Sequence, residues 1–129
     1  MKHRALPENV VMYTLIEVAR FTGNVPAATE FYQQLLGRTP VRQCAGLSEF
    51  ELGGVTLRVH EIAAARDDGL PAEDHIAFGV DDLEQACADA QKRGLRCERP
   101  PQTYDWGRSA YLRDPDGQLV DLHEPSSGR

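Results

Sequence analysis

The sequence predicts an α+β protein made of two tandem βαβββ modules, and three observations carry that expectation. A pattern of one strand, one helix and several strands is written twice in the same order, at residues 10–62 and 74–125. Each helix is bracketed by a capping residue and a glycine stop. Each copy also ends in a glycine-led strand, Gly54-Val55-Thr56-Leu57-Arg58-Val59-His60-Glu61 in the first and Gly117-Gln118-Leu119-Val120-Asp121-Leu122-His123-Glu124 in the second. A chain of 129 residues buries about two-thirds of its unfolded surface, enough for one structural domain without disulfides or a structural metal.

The first copy opens with alternating residues over 12–19, which predict a strand. Asn24 caps the helix that follows, Pro26 lies in its first turn, and Val25, Ala28, Phe31, Tyr32 and Leu35 recur at helical spacing until Gly37. Strands are expected at 49–52 and 55–62, joined by Gly53-Gly54, with a shorter one at 41–44. The polar stretch 63–73, with Gly69 and Pro71, reads as a linker. The second copy begins with a strand at 74–80. Asp81 or Asp82 caps its helix, Leu83, Ala86, Cys87 and Ala90 form an apolar stripe, Lys92 and Arg93 suit the negative end of the dipole, and Gly94 stops it. Strands are expected at 108–113 and 118–123 around the turn Asp114-Pro115-Asp116-Gly117, with a shorter one at 96–99. One copy alone would leave a sheet face bare to water, so the two must cover each other, within a chain or by exchange in a dimer.

The charge excludes several functions. With 14 Lys and Arg against 20 Asp and Glu the net charge is −6, and the basic residues are scattered, which argues against nucleic acid and anionic membranes as partners. The charge is uneven: residues 10–62 hold four basic and five acidic side chains, residues 74–125 six and eleven. No apolar run has the length of a membrane span, and residues 1–7 do not read as a secretory signal, so a cytoplasmic protein is expected. Cys44, Cys87 and Cys97 have no metal-ligand spacing and read as free thiols. Nothing resembles a Ser-His-Asp nucleophile, a phosphate loop or a dinucleotide fingerprint.

Three pieces carry a family resemblance: Phe31-Tyr32-Gln33-Gln34-Leu35-Leu36-Gly37, the run from His75 to Val80 followed by Asp82, and Trp106-Gly107-Arg108 leading to Asp114-Pro115-Asp116-Gly117 and Asp121-Leu122. With them the chain, from about residue 13 to 124, resembles the vicinal oxygen chelate superfamily of glyoxalases, bleomycin-resistance proteins and extradiol dioxygenases. The resemblance implies curled mixed sheets around a shared cavity, a homodimer, and in the enzymes of the family a divalent metal held by the first and last strands of the modules. Carried over by position, it implies Tyr13, Arg58, His75 and Asp121 as the ligand places, and Trp106 and Arg108 as part of a loop that closes over the ligand. Alternation independently sorts the strands: Ile16, Val18, Leu57, Val59, Phe78, Val80, Val120 and Leu122 toward the helices, and Tyr13, Leu15, Glu17, Thr56, Arg58, His60, His75, Ala77, Leu119, Asp121 and His123 toward the cavity.

The chain departs from that pattern, since relatives carry His or Gln where Tyr13 stands and Glu where Asp121 stands. Two readings follow. In the first, Arg58 and Asp121 form a salt-linked pair across the pseudo-twofold, His75 and Tyr13 present a hydrogen-bonding rim, and the cavity binds a small organic molecule with no metal cofactor. In the second, His75, Asp121 and Glu17 hold manganese, iron, nickel or zinc, Arg58 holds an anionic substrate group, and the protein is a lyase, isomerase or dioxygenase of glyoxalase type. The candidate catalytic groups are Tyr13, Glu17 and His75, and the candidate ligand-binding groups Tyr13, Arg58, His75, Trp106, Arg108 and Asp121.

Overall fold

The computed structural model describes residues 11–62, 72–104 and 107–125. Along the chain run β1 (Tyr13–Thr22), α1 (Val25–Leu36), β2 (Arg42–Cys44), β3 (Leu47–Leu52), β4 (Val55–Glu61), β5 (His75–Val80), α2 (Leu83–Lys92), β6 (Arg99–Tyr104), β7 (Gly107–Arg113) and β8 (Leu119–Pro125). The strands form one curled, unclosed sheet in the order β2-β3-β4-β1-β5-β8-β7-β6. From the centre outward each half has the same order, first strand, fourth, third, second, with the first and fourth parallel. The halves meet inside one chain, where β1 and β5 pair antiparallel.

The helices form where capping dictates. The Asn24 side chain accepts from the Ala27 N–H, and Gly37 closes α1 at φ 67°, a left-handed turn that glycine adopts without strain. Asp82 accepts from the Gln85 N–H to start α2. Each helix covers its own half of the sheet on the same side. Val25, Ala28, Tyr32 and Leu36 pack with Phe50, Leu57 and Val59, while Leu83, Ala86, Cys87 and Ala90 pack with Val80, Ala110, Leu112 and Leu122. A buried hydroxyl pair ties α1 to β3: Thr29 Oγ1 donates to the Val25 carbonyl at 2.7 Å and lies 2.7 Å from Ser48 Oγ. Phe31 and Leu35, expected in the apolar stripe, instead face outward at 58% and 66% exposure, because Ala28, Tyr32 and Leu36 already fill the i, i+4, i+8 row against the sheet.

Two expectations about strands change. The short strand expected at 96–99 lies later, as β6, because the chain after Gly94 is spent on leaving the helix, with Leu95 N–H bonded to the Ala90 carbonyl at 2.8 Å. Pro100 and Pro101 are tolerated there because β6 is an edge strand and its register slips between Arg99 and Gln102. The second change shapes the site. β1 carries a bulge between Leu15 and Glu17, so the register on β5 runs Tyr13↔Val80 and Leu15↔Phe78 before it and Glu17↔Ala77 and Ala19↔His75 after it. Cross-strand partners share a face, so Tyr13 and Leu15 lie on the helix side, while Glu17 and Ala19 lie on the other.

Gly79 makes room for that bulge. A Cβ on Gly79 would come 3.1 Å from Ile16 Cγ2. Gly79→Ala is therefore expected to destabilise the protein by about 1–3 kcal/mol, and Ile16→Ala in the same chain to recover part of that loss, measured by urea unfolding. Strict additivity of the two substitutions would show that the bulge does not depend on this contact.

Candidate functional site on the helix-free face

Counting along each half identifies the equivalent places. Ala19 pairs with Arg58 and Ala77 with Asp121, so Arg58 and Asp121 correspond, and two residues back Glu17 corresponds to His75. The four places of the pseudo-twofold are thus Glu17, Arg58, His75 and Asp121. Tyr13 stands apart from them: its ring meets Phe78 edge-on at 6.4 Å and its phenol lies near Arg93, the residue that follows α2, on the helix side of the sheet. Ile16, expected toward the helices, reaches the Gly79 side instead. The β-bulge accounts for both corrections, since one inserted residue inverts the alternation of everything before it.

The remaining groups converge. Arg58 donates from Nε to Glu49 Oε2 at 2.9 Å and has Nη2 2.8 Å from the same oxygen and 3.6 Å from Glu17 Oε1. The expected pairing of Arg58 with Asp121 is replaced by this one, because Glu49 lies directly across the β3–β4 hairpin from Arg58. His75 Nε2 lies 3.7 Å from Glu17 Oε2, and its Nδ1 is 2.8 Å from the Glu73 carbonyl. With Nδ1–H donated to that carbonyl, Nε2 of a neutral ring presents a lone pair to the site. The Phe21 ring meets those of His60 and His75 at tilted angles, with centroids 5.1 and 6.1 Å apart, extending the face along β1.

Asp121 is the most unusual member. It is 7% exposed, and its Oδ1 has no hydrogen-bond partner. Burial, reinforced by the charge of Glu17, raises its carboxyl to about 7, against the opposing pull of a hydrogen bond with Ser109 and of the Arg58 charge. Across the β7–β8 ladder Tyr111 faces Asp121 and Ser109 faces His123. Burial, then the Asp121 charge, pushes the Tyr111 phenol up, and burial pushes the His123 imidazole down. His123 Nδ1 and Ser109 Oγ are 3.3 Å apart.

Other expected groups lie elsewhere. Arg108 pairs with Glu84 of α2 through both terminal nitrogens, on the helix side. Trp106 lies outside the described residues. Tyr104, at the β6 edge, donates to Gln102 Oε1 at 2.8 Å. Sequence reasoning missed Glu49, Ser109 and Tyr111. Glu49 had a signal: a two-residue turn at Gly53-Gly54 pairs Leu52 with Val55 and hence Glu49 with Arg58.

Does this donor set fit a divalent ion? Among the described residues, the group of three acidic or imidazole side chains with ligand atoms within 4.8 Å of one another is Asp82, Glu84 and Glu124, on the helix side, and Glu17, His75 and Asp121 do not converge that closely. The outer group serves other ends, with Asp82 capping α2, Glu124 accepting from the Leu83 N–H and Glu84 held by Arg108. At the four pseudo-twofold places Arg58 contributes a fixed positive charge, which at ~4 Å from a divalent ion would cost roughly 8 kcal/mol at an effective dielectric of 20. The residues present do not fit a divalent ion there.

An eight-stranded sheet of two like halves, with helices on one side and a polar cluster on the other, defines a class of paired-module proteins. The family model of the Glyoxalase/Bleomycin resistance protein/Dioxygenase superfamily matches residues 14–122, and the chain belongs to that superfamily. It is 26% identical over 125 residues to a probable lactoylglutathione lyase of Vibrio cholerae, covering 87% of this chain and 88% of that one. Among solved structures it is similar to a superfamily member from Vibrio splendidus (TM-score 0.65, 12% identity, 88% of this chain and 99% of that one) and to methylmalonyl-CoA epimerase from Mycobacterium tuberculosis (0.62, 20%, 87% of each). At those identities the two structures speak for the fold.

The titration of Asp121 has a direct consequence. Its folded value near 7 lies above its ordinary value of 3.8, so between about pH 4 and pH 7 the folded state holds a proton that the unfolded state has released. Stability should fall as pH rises across that window, by up to about 1.4 kcal/mol per pH unit from this group. Asp121→Asn is expected to match wild type near pH 4 and to exceed it at pH 8 in urea unfolding. Parallel profiles for the two proteins would contradict the raised value.

Proposed function

We propose that the protein binds a small organic molecule on the helix-free face of its sheet, as the antibiotic-binding members of the superfamily do, and that it does so without a divalent metal. The observation that carries this reading is Arg58, which occupies one of the four pseudo-twofold places and is anchored by Glu49 and Glu17. In this reading residues 10–62 and 74–125 act as two copies of one module joined by the linker 63–73. The site groups are Glu17, Arg58, His75 and Asp121, with Trp106 as a candidate closing residue and Tyr13 and Arg108 supporting α2 from outside. The protein works as a cytoplasmic homodimer, with the free edges β2 and β6 and the exposed Phe31 and Leu35 open to a second copy.

The likeness to lactoylglutathione lyases favours a second reading, a metal-dependent lyase, isomerase or dioxygenase, which requires Arg58 to swing away from Glu17 and Glu49. Elemental analysis of protein purified without chelator, together with calorimetric titration of nickel and zinc, separates the two. The expected outcome is no stoichiometric metal in wild type and at least a hundredfold gain in affinity for either ion in Arg58→Glu. Stoichiometric metal in wild type that disappears in His75→Ala would establish the second reading instead.

A further inference from the structure

Among the described residues, the helix-free face holds one buried acceptor with nothing to accept. Asp121 is 93% buried by residue, Oδ1 lacks a partner, and the strand pairs around it place Ser109, Tyr111 and His123 on the same face. A buried carboxylate oxygen is an acceptor, so what completes it is a donor, and a charged donor completes it best. We propose that the ligand of this face is an organic amine whose ammonium group pairs with the Asp121 carboxylate. The proposal rests on the reading of the face as a ligand site and names the chemical class that the site takes.

The charge around Asp121 selects an amine over an acid. Glu17 and Glu49 each carry a negative charge here, and the Arg58 guanidinium is already engaged by both, at 3.6 Å and 2.8 Å. Arg42 reaches Glu49 only at 3.8 Å and from an exposed position, and Arg99, which faces Tyr111 across the β6–β7 ladder, lies two strands away from Asp121. An ionised Asp121 is therefore surplus to the positive charge that touches it, with His75 adding to that charge only when protonated. An anionic ligand would enlarge the surplus, and a neutral hydroxyl would satisfy Oδ1 yet leave the charge. An ammonium group does both at once.

The aromatic surroundings agree. Phe21 lies on this face beside His60 and His75, while Tyr111, directly across the ladder from Asp121, is itself buried. Ring faces attract cations as well as the apolar body of an organic amine. A divalent metal, by contrast, needs three or more converging donors, whereas an ammonium group needs one strong anchor and tolerates the neighbouring carboxylate at a distance.

Isothermal titration calorimetry with three isosteric probes tests this: 2-phenylethylamine, 2-phenylethanol and phenylacetate, each titrated into the full-length protein at pH 7.5. The amine is expected to bind at least tenfold more tightly than either comparator, and Asp121→Asn to reduce its affinity at least tenfold. Glu30→Gln, which removes an exposed negative charge on α1, is expected to leave the affinity unchanged and so controls for general attraction to an acidic protein. Equal binding of the amine to Asp121→Asn and wild type overturns the proposal. Tighter binding of phenylacetate or 2-phenylethanol than of the amine also overturns it, while leaving the face standing as a ligand site. Failure of all three probes at millimolar concentration overturns the amine assignment, and if stoichiometric nickel or zinc binding accompanies it, the metal-free reading of the face falls as well.

Discussion

The antiparallel seam between β1 and β5 is the constraint on which the rest of this protein depends. Among the described residues it is the one place where the two halves share a ladder, and it sets which side chains of the central strands look away from the helices. The bulge at Ile16 lies in this seam and divides β1 into two stretches of opposite facing. Before it, Tyr13 and Leu15 serve the helix side. After it, Glu17 enters the polar cluster opposite His75's own strand. Gly79 permits the arrangement, because a larger residue would press on Ile16.

A second constraint follows from where the charges land. Once Glu17 faces the same way as Arg58, the guanidinium has two carboxylates within reach, one from the neighbouring strand β1 and one from the hairpin partner β3. That neutralisation keeps a charged residue tolerable on a partly covered surface. It also leaves Asp121, the counterpart of Arg58 in the second half, without an ion pair among the described residues. The two halves are alike in backbone but carry Arg58 against Asp121 and Glu17 against His75, so the cluster is asymmetric on a symmetric frame. Holding Asp121 buried costs stability, and a cost of this kind is commonly tolerated where a surface is kept for a ligand.

The helix side tells the opposite story. Polar groups there are satisfied locally: Asp82 and Glu124 cap α2, Glu84 holds Arg108, and Thr29 meets Ser48. Groups expected in the cavity from their residue type lie instead on the helix side of the sheet. Arg108 is the clearest case, since Ser109 next to it points into the cluster.

The sequence by itself determined the repeated strand, helix and strand order, the capped ends of both helices and the family, because caps, glycine stops and hydrophobic period act over a few residues and need no partner. Glu17, Arg58, His75 and Asp121 were all legible as polar residues on apolar strands, and Glu49 could have been counted from the turn at Gly53-Gly54. Only the tertiary structure decided that Tyr13 leaves the site and that Arg58 pairs with Glu49 and Glu17, not Asp121. The reason is physical: a β-bulge has no sequence mark in a strand of Tyr, Thr, Leu and Ile, yet it inverts every side chain before it. Ion pairing between strands, likewise, follows from ladders whose partners lie far apart along the chain.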